Sequence, residues 1–324
     1  MKMHMVDAIN ACLKQEMERD SAILIFGEDI GIDGGVFRVT DGLFEKFGRD
    51  RVIDTPLSEP GIIGMAVGMA ALGLRPVPEI QFQGFECNAY HHVVQHIAKL
   101  RNRTRGEITM PMVIRLPYSG GIKALEHHGE SLETMYIHIA GLTVVCPSTP
   151  YDAKGLLASA LEHPDPVLYF EPKRLYRTFR EEVPEERYTV EIGKANIVKE
   201  GKDLTLVSWG AMTYVSKEAI AEAETQGISV EHVDLRTLAP CDWDTILGSV
   251  RKTGRLVIVH EAVKTLGFGA EIAARVSEEA LLSLEAPIKR VTGWDIPIPY
   301  PKLEDYYFPD KNRILKGIME TARF

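Results

Sequence analysis

One carboxylate stands at the start of an apolar, glycine-rich run. Glu59 follows a strand-like segment that ends near Ile53, and Ser58 is a suitable N-cap for a helix that Glu59 opens. No charged residue occurs from position 61 to 74. Because a carboxyl group among apolar neighbours is suited to hold and transfer a proton, Glu59 is the first candidate catalytic residue. The competing interpretation is a core helix that uses Glu59 only as a partner for its dipole.

Three glycines lie along the same helical segment, at positions 61, 64 and 68. Each costs about 1 kcal/mol relative to alanine inside a helix, so they need a compensating gain, most simply the close approach of another helix. The segment is also shorter than the roughly 20 apolar residues that a membrane span needs. The pattern predicts a helix that is buried in an interface and does not cross a membrane.

A second acidic residue, Glu28, lies in a glycine-rich segment directly after a predicted strand over 22–27. The glycines there do not have the GxGxxG or GxxxxGK[ST] spacing of phosphate-binding loops. The segment is better described as a turn that directs Glu28 from the end of a strand, where open sheets place their ligands. A turn without function is the alternative.

Histidines occur in two further segments. His127 and His128 stand next to a glycine in a long loop over 118–131, and a histidine near neutral pH can donate or accept a proton. Two solvated histidines are the alternative. His92 and His96 have the one-turn spacing of zinc ligands, but the segment lacks the glutamate of HExxH and a third ligand, and we assign no metal to it.

Strand-length apolar runs alternate with helical patterns along the chain, which is typical of α/β domains built on buried parallel sheets. A charged, poorly periodic segment over 171–191 interrupts the alternation. We therefore predict an α/β fold with two parallel-sheet domains, residues 1–185 and residues 186–324. The predicted strands are 22–27, 77–82, 112–116, 143–147, 167–171, 204–210, 229–234, 255–260 and 288–292. The predicted helices include 3–17, 58–73, 86–103, 150–162 and 311–322.

Composition excludes several classes of protein. The net charge is −9, and no cluster of lysine and arginine is dense enough to follow a phosphate backbone, so a nucleic-acid partner is not expected. The four cysteines stand far apart without a CxxC pair, which is typical of a reducing compartment. The first ten residues lack the apolar stretch of a signal peptide. We expect a cytoplasmic protein that does not bind membranes.

Eight features follow one another along the chain: GED at 27–29, GGVF at 34–37, DTPLSE at 54–59, RPVPEI at 75–80, His128, STPYDAKG at 148–155, EPKRLY at 171–176 and DLRTL at 234–238. Together, and in this order, they resemble the beta subunit of the decarboxylating component of 2-oxo acid dehydrogenase complexes. The resemblance covers essentially the whole chain. The segments 171–177 and 182–186 are most like the branched-chain type.

The resemblance implies a first domain with the pyrimidine-type fold that binds thiamine diphosphate, and a second domain like the C-terminal domain of transketolase. In that family the beta chain holds the aminopyrimidine, while an alpha subunit holds the diphosphate and magnesium in an alpha2-beta2 heterotetramer. The chain has no Gly-Asp-Gly segment followed at a distance by asparagine, the usual magnesium-diphosphate motif of thiamine enzymes. The absence of this motif is expected if the cofactor is shared with an alpha subunit that binds its diphosphate.

The resemblance also implies roles for four residues of the cofactor pocket. Glu59 matches the carboxyl group that hydrogen-bonds to a pyrimidine nitrogen and activates the cofactor. Phe85 matches the aromatic ring that stacks on the pyrimidine, and Leu57 and Glu28 match other positions near it.

His128 matches the family histidine that acts as a general acid when the acyl group passes to a lipoyl group. The family commonly has His-Ser-Gln where this chain has His128-Gly-Glu, so His127 stays an alternative for the role. The partner implied for this step is the lipoyl acyltransferase component of the complex.

A structural potassium ion is usual in the family, bound partly by carbonyl groups near the positions of Met112 and Ala160. This chain has His163 and Asp165 where aspartate and asparagine are common. We leave a potassium site, and the metal in general, open.

The activity implied is that of an oxidoreductase that decarboxylates a branched-chain 2-oxo acid and acylates a lipoyl group, and that works only with its alpha subunit. Pyruvate and acetoin dehydrogenases share much of the same sequence and are the alternatives. A non-catalytic scaffold is disfavoured by Glu59 and His128. A self-sufficient thiamine or nicotinamide enzyme is disfavoured because no diphosphate motif is visible.

Overall fold

Two large sheets organise the chain, in a computed structural model that describes residues 1–324. The strands, β1 to β14 in chain order, are Lys2–Met3, Ile23–Gly27, Val52–Asp54, Arg75–Glu79, Val113–Tyr118, Thr143–Val145, Val167–Pro172, Glu181–Glu182, Asn196–Lys199, Leu204–Ser208, Val230–Asp234, Thr237–Ala239, Leu256–Val263 and Lys289–Gly293.

Helices connect most of these strands. The α-helices, α1 to α12 in chain order, are Met5–Arg19, Leu43–Phe47, Glu59–Ala71, Tyr90–His92, Leu100–Arg103, Glu133–Ile137, Pro150–Glu162, Ala211–Thr225, Trp243–Thr253, Phe268–Glu279, Glu304–Tyr307 and Lys311–Ala322. Short 3-10 turns cover Gln83–Asn88, Lys173–Leu175 and Leu281–Ser283, and Val93–Ile97 is π-helical. No helix is both long and apolar enough to span a lipid bilayer.

The predicted α/β fold with two largely parallel sheets is confirmed. The larger sheet has the order β12-β6-β7-β5-β4-β2-β3, and only the edge strand β12 is antiparallel to its neighbour. The smaller sheet has the order β14-β13-β10-β11-β9, with only β9 antiparallel. A separate pair joins β1 to β8. Helices cover both faces of such sheets, which is why β5 and β7 are buried over their whole length.

Arg115 is a fully buried cation of the larger sheet, and it is held between two carboxylates. Its guanidinium donates to both oxygens of Glu171, at 2.6 and 2.9 Å, and also pairs with Glu79. These residues lie on the adjacent strands β4, β5 and β7, so the cluster satisfies the buried charges and ties the three strands together.

One strand from the second half of the chain belongs to the sheet of the first half. β12 follows the predicted boundary at residues 185 and 186, yet it pairs with β6 and extends the larger sheet. Buried apolar residues from both halves also form one continuous core. The two halves are therefore closely joined.

The predicted helices 58–73, 150–162 and 311–322 are confirmed as α3, α7 and α12. The single helix predicted over 86–103 is wrong, since the chain there passes through a 3-10 turn, the short α4, the π-helical segment and α5. Gly84 and Asn88 are poor helix formers at its start, and a bond from the Ala98 N–H to the Val93 carbonyl, five residues back, widens the turn.

Candidate active site

The predicted site residues follow four adjacent strands of the larger sheet. Glu28 comes after β2, Glu59 after β3, Phe85 after β4 and His128 after β5. Because the carboxyl ends of parallel strands meet at one edge of a sheet, the fold brings residues that are 100 positions apart in sequence to the same edge. This edge is the candidate active site.

Glu59 is the first residue of α3 and is only 6% exposed. Ile62, Ile63 and Ala66 of the same helix are buried beneath it, so the helix is anchored in the core while its first turn faces the sheet edge. No group of the chain hydrogen-bonds to the Glu59 carboxylate. Although the residue is largely buried, its carboxylate oxygens are not sealed from solvent, so a ligand at the sheet edge can reach and hydrogen-bond to them.

Glu28 lies close to Glu59. Burial, followed by the charge of the Glu59 carboxylate, raises the pKa of Glu28 above its ordinary value. The loop that carries Glu28 is fixed to the neighbouring strand, since Asp54 accepts hydrogen bonds from the Gly31 and Ile32 N–H groups at 2.6 and 3.2 Å. Glu28 therefore keeps a proton more readily than an ordinary glutamate, and Glu59 lies beside it.

Phe85 and His128 are in contact. Their ring centroids are 5.1 Å apart, and Phe82 completes a cluster of three rings at 4.2 Å from His128 and 5.6 Å from Phe85. The Nδ1 atom of His128 lies 2.8 Å from the Glu126 carbonyl oxygen. Because a carbonyl only accepts, Nδ1 carries the hydrogen in the neutral ring and Nε2 is left to exchange a proton.

The carboxyl pair, Glu28 and Glu59, and the ring pair, Phe85 and His128, lie next to each other. Helix α3, which begins with Glu59, packs against the 3-10 turn Gln83–Asn88, which carries Phe85. Carboxyl groups and aromatic rings thus border the same region at the sheet edge.

Leu57, by contrast, points away from the chain and is 79% exposed. Ile32 and Val36, from the loop that follows Glu28, are also large exposed apolar residues. The structure therefore does not bring Leu57 into a pocket formed by this chain alone, and it leaves an apolar surface beside the carboxyl pair.

His127 faces different surroundings from His128. It is exposed and lines a cavity of about 320 Å³ between its own loop and the segment that includes Pro297, Ile298 and Pro299. The structure brings only His128 to the aromatic rings.

Lys173 is a buried residue beside the site that our sequence analysis did not single out. Burial lowers its pKa to about 7, against the opposing attraction of Glu261, Glu304 and Glu130. Its ammonium group lies 5.8 Å from the centre of the Phe82 ring and donates to the Ser119 carbonyl. The sequence did contain one signal for Lys173, because a lysine stands there directly after an apolar strand that is predicted to be buried.

The potassium site that the resemblance leaves open does not fit the loop near His163. The Arg75 guanidinium donates to the Leu161 carbonyl at 2.9 Å, and Arg101 pairs with the Asp165 carboxylate. Two fixed cations already occupy this loop, and we assign no potassium to it.

The histidines of the π-helical region cluster without forming a metal centre. The rings of His91, His92 and His96 have centroids 5.3 to 5.7 Å apart. No group of three or more His, Cys, Asp or Glu side chains in the structure is arranged to hold a metal ion.

The residues at the sheet edge fit the aminopyrimidine end of thiamine diphosphate. A heteroaromatic ring can lie against Phe85, and a ring nitrogen can share a proton with the otherwise unpaired Glu59 carboxyl.

Comparison with known proteins agrees with this arrangement. Residues 1–178 match the family model of the transketolase pyrimidine binding domain, and residues 193–314 match that of the transketolase C-terminal domain. The chain is similar to the pyruvate dehydrogenase E1 component subunit beta of Acholeplasma laidlawii, with 52% identity over 98% of both chains. It is also similar to the subunit of that name from Staphylococcus epidermidis, with 51% identity over 100% of this chain and 99% of the relative.

A solved structure supports the fold. A split gene transketolase, described as an inactive beta4 tetramer, superposes with a TM-score of 0.81 over 100% of this chain and 99% of the other. Its sequence identity is 21%, so this likeness concerns the fold alone.

Proposed function

This chain belongs to the family of E1 beta subunits of thiamine-diphosphate-dependent 2-oxo acid dehydrogenases, and on that basis we propose that it is the beta subunit of a pyruvate dehydrogenase. The observation that carries the catalytic part of the proposal is Glu59, a largely buried residue whose carboxylate has no partner in the chain, at the start of a helix that packs against the turn carrying Phe85. The proposed partners are an alpha subunit, in an alpha2-beta2 assembly, and a lipoyl acyltransferase component.

Pyruvate is favoured as substrate over a branched-chain 2-oxo acid. The relatives that share about half of their residues with this chain over its full length are named as pyruvate dehydrogenase subunits. The branched-chain prediction rests on the segments 171–177 and 182–186, which are short. Full-length similarity therefore outweighs them.

Each residue of the site has a proposed task. When bound, thiamine diphosphate supplies the reactive carbon that attacks the 2-oxo group and allows carbon dioxide to leave. Glu59 holds a proton at a pyrimidine nitrogen, and Glu28, whose own pKa is raised by burial and by the Glu59 charge, lies beside it. Phe85 provides a flat apolar surface that orients the ring and excludes water.

His128 is the proposed proton donor when the acyl group moves to the lipoyl sulfur. Its Nε2 is free because Nδ1 is engaged by the Glu126 carbonyl, and its ring is fixed by Phe82 and Phe85. An imidazole ring in this position can give up a proton and regain it in each cycle.

The exposed apolar surface at Leu57, Ile32 and Val36 supports an alpha subunit as partner, because exposed apolar residues beside a binding site are typical of an interface. The proposal assigns the diphosphate and magnesium to that subunit. The chain alone is then expected to be inactive.

The test is to produce this chain together with its alpha subunit and to measure carbon dioxide release from pyruvate and from 3-methyl-2-oxobutanoate, with thiamine diphosphate and magnesium. We expect pyruvate to be the better substrate. Glu59→Gln should lower the rate by about 100-fold or more, because the proton donor is lost. Glu278→Gln, at an exposed position on α10, is the matched control and should leave the rate unchanged.

A faster reaction with 3-methyl-2-oxobutanoate would restore the branched-chain assignment. Unchanged decarboxylation in Glu59→Gln would favour a scaffold role. Activity of the isolated chain would contradict the shared cofactor.

A further inference from the structure

The loop that carries His128 is held in an unfavourable backbone conformation. Four residues between 119 and 131 have positive φ angles: Ser119 at 76°, Gly121 at 85°, Lys123 at 56° and His127 at 66°. Three of them are not glycine, and such residues adopt this conformation only where neighbouring groups hold them in it. The groups that hold this loop are therefore part of the machinery that sets the position of His128.

Two buried carboxylates from the second half of the chain hold the beginning of the loop. Glu304, the first residue of α11, accepts a hydrogen bond from the Gly121 N–H at 2.6 Å. Glu261, on β13, accepts from the Gly120 N–H and from the Ser131 hydroxyl, both at 3.4 Å. Ser131 lies at the other end of the loop, so Glu261 contacts both of its ends.

Charge balance supports the same arrangement. Two carboxylates that are 5% and 3% exposed need a cation, and the Lys173 ammonium group is attracted by both of them. Lys173 also donates to the Ser119 carbonyl. When protonated, the lysine thus offsets part of the negative charge of the two carboxylates, and it fixes the residue that precedes the two glycines.

The space around the two glycines is closed. A Cβ atom at Gly120 would lie 2.0 Å from the Phe308 ring, and one at Gly121 would lie 2.6 Å from the side chain of Arg174. The loop backbone therefore rests directly on these side chains and cannot move toward them.

We infer that Glu261 and Glu304 are positioning residues for the histidine loop: through the Gly120 and Gly121 N–H groups they hold the strained loop so that His128 stays against Phe82 and Phe85. The inference rests on the proposed function for its catalytic consequence. The second half of the chain then acts on the reaction itself, by fixing the residue that serves acyl transfer to the lipoyl group.

The test compares two rates of the assembled enzyme. Decarboxylation is followed with a dye as artificial electron acceptor, which does not use the lipoyl group, and acetylation is followed on a lipoyl domain. Glu304→Ala should lower lipoyl acetylation by about tenfold or more while dye-linked decarboxylation stays close to that of the wild type, because only His128 is displaced. Glu304→Gln should restore most of the acetylation, since its amide oxygen still accepts from Gly121.

Glu320→Ala is the matched control, because Glu320 lies in the same half of the chain but is exposed and pairs only with surface lysines. It should change neither rate. Should Glu304→Ala not fold, Glu304→Asp is the second variant, which keeps the charge and moves it away from Gly121 by one methylene group. An equal loss of both rates, or a Glu304→Gln enzyme as poor as Glu304→Ala, would show a merely structural carboxylate and overturn the inference.

A readout without activity separates this inference from the proposed function. Hydrogen–deuterium exchange of the segment 119–131 should become faster in Glu304→Ala and remain slow in Glu320→Ala. Unchanged exchange would overturn the inference even if pyruvate is the substrate. Faster exchange in an assembly that does not use pyruvate would keep the positioning role and reject the proposed function instead.

Discussion

His127 and His128 are neighbours in the chain, yet their side chains meet different surroundings. The φ angle of 66° at His127 reverses the direction of the backbone, so that the next side chain turns toward Phe82 and Phe85. His127 stays exposed. Residue type and motif could not separate the two histidines, because the difference lies in one backbone angle.

This difference predicts unequal effects of the two substitutions. His128→Gln should lower lipoyl acetylation by about 100-fold, the usual contribution of a general acid, and should change dye-linked decarboxylation much less. His127→Gln should leave both rates close to the wild type. Both rates are measured in the complex with the alpha subunit, and a larger loss from His127→Gln would reverse the assignment.

Glu59 could be found from the sequence because the signal lies in neighbouring residues. A carboxylate opens a helix that has no other charge for more than ten residues. Lys173 had a local signal in its position directly after a buried strand, but its role, like that of Phe82, could not be found in this way. Their roles depend on contacts with residues far away in the chain, such as Ser119 and His128. Whether Glu28, Glu59, Leu57, Phe85 and His128 serve the reaction stays a prediction until they are substituted.

At the scale of elements, the regular helices and strands were predictable and the irregular connections were not. Helices α3 and α7 follow from strong N-terminal signals, Ser58 with Pro60 and Thr149 with Pro150. Most of the region 83–103 was predicted as helix, but Gly84 and Asn88 are poor helix formers, and Phe85 meets the His128 loop there. The close approach between the two segments acts together with helix propensity to set the backbone.

Gly84 is the point of that approach, and it gives a prediction. A Cβ atom there would lie 2.3 Å from the His127 carbonyl oxygen, which is backbone and cannot rotate away. We expect Gly84→Ala to reduce the free energy of unfolding by about 1 to 3 kcal/mol and to lower lipoyl acetylation, because the histidine loop is pushed outward.

The control for Gly84→Ala is Gly248→Ala. Gly248 lies in α9 with nothing within 4 Å of an added Cβ, so alanine should raise the free energy of unfolding by up to about 1 kcal/mol. Both variants are compared by chemical denaturation and by the lipoyl assay. A Gly84→Ala enzyme as stable as the wild type would show that the two segments are not tightly packed.

At the scale of the whole molecule, the junction between the two halves contains buried acids. Glu133, on α6, accepts a hydrogen bond from the Trp209 Nε1 at 3.1 Å, and its second oxygen has no partner. Across the same junction, Asp234 accepts from the Ser148 hydroxyl at 2.9 Å. Burial raises the pKa of both acids to about 7. Both carboxyl groups are therefore partly protonated in the folded chain near neutral pH.

These groups make stability depend on pH in a defined direction. Between the pKa of an unfolded glutamate, 4.5, and the folded value of about 7, the folded chain binds more protons at Glu133 than the unfolded chain. The contribution of Glu133 to stability is therefore full below the first value, falls as the pH rises through this window, and is constant above it. Over the window the loss amounts to a few kcal/mol, at about 1.4 kcal/mol per pH unit.

Glu133→Gln removes this contribution and keeps an amide oxygen for Trp209, so it isolates the titration from the hydrogen bond. We expect the wild type to lose stability relative to Glu133→Gln as the pH rises from 5 to 7, and the difference to stop growing above 7. Thermal unfolding of both proteins at constant ionic strength across this range measures it. If the two curves stay parallel throughout, Glu133 keeps the same charge in the folded and unfolded chains, and the junction does not hold the extra proton.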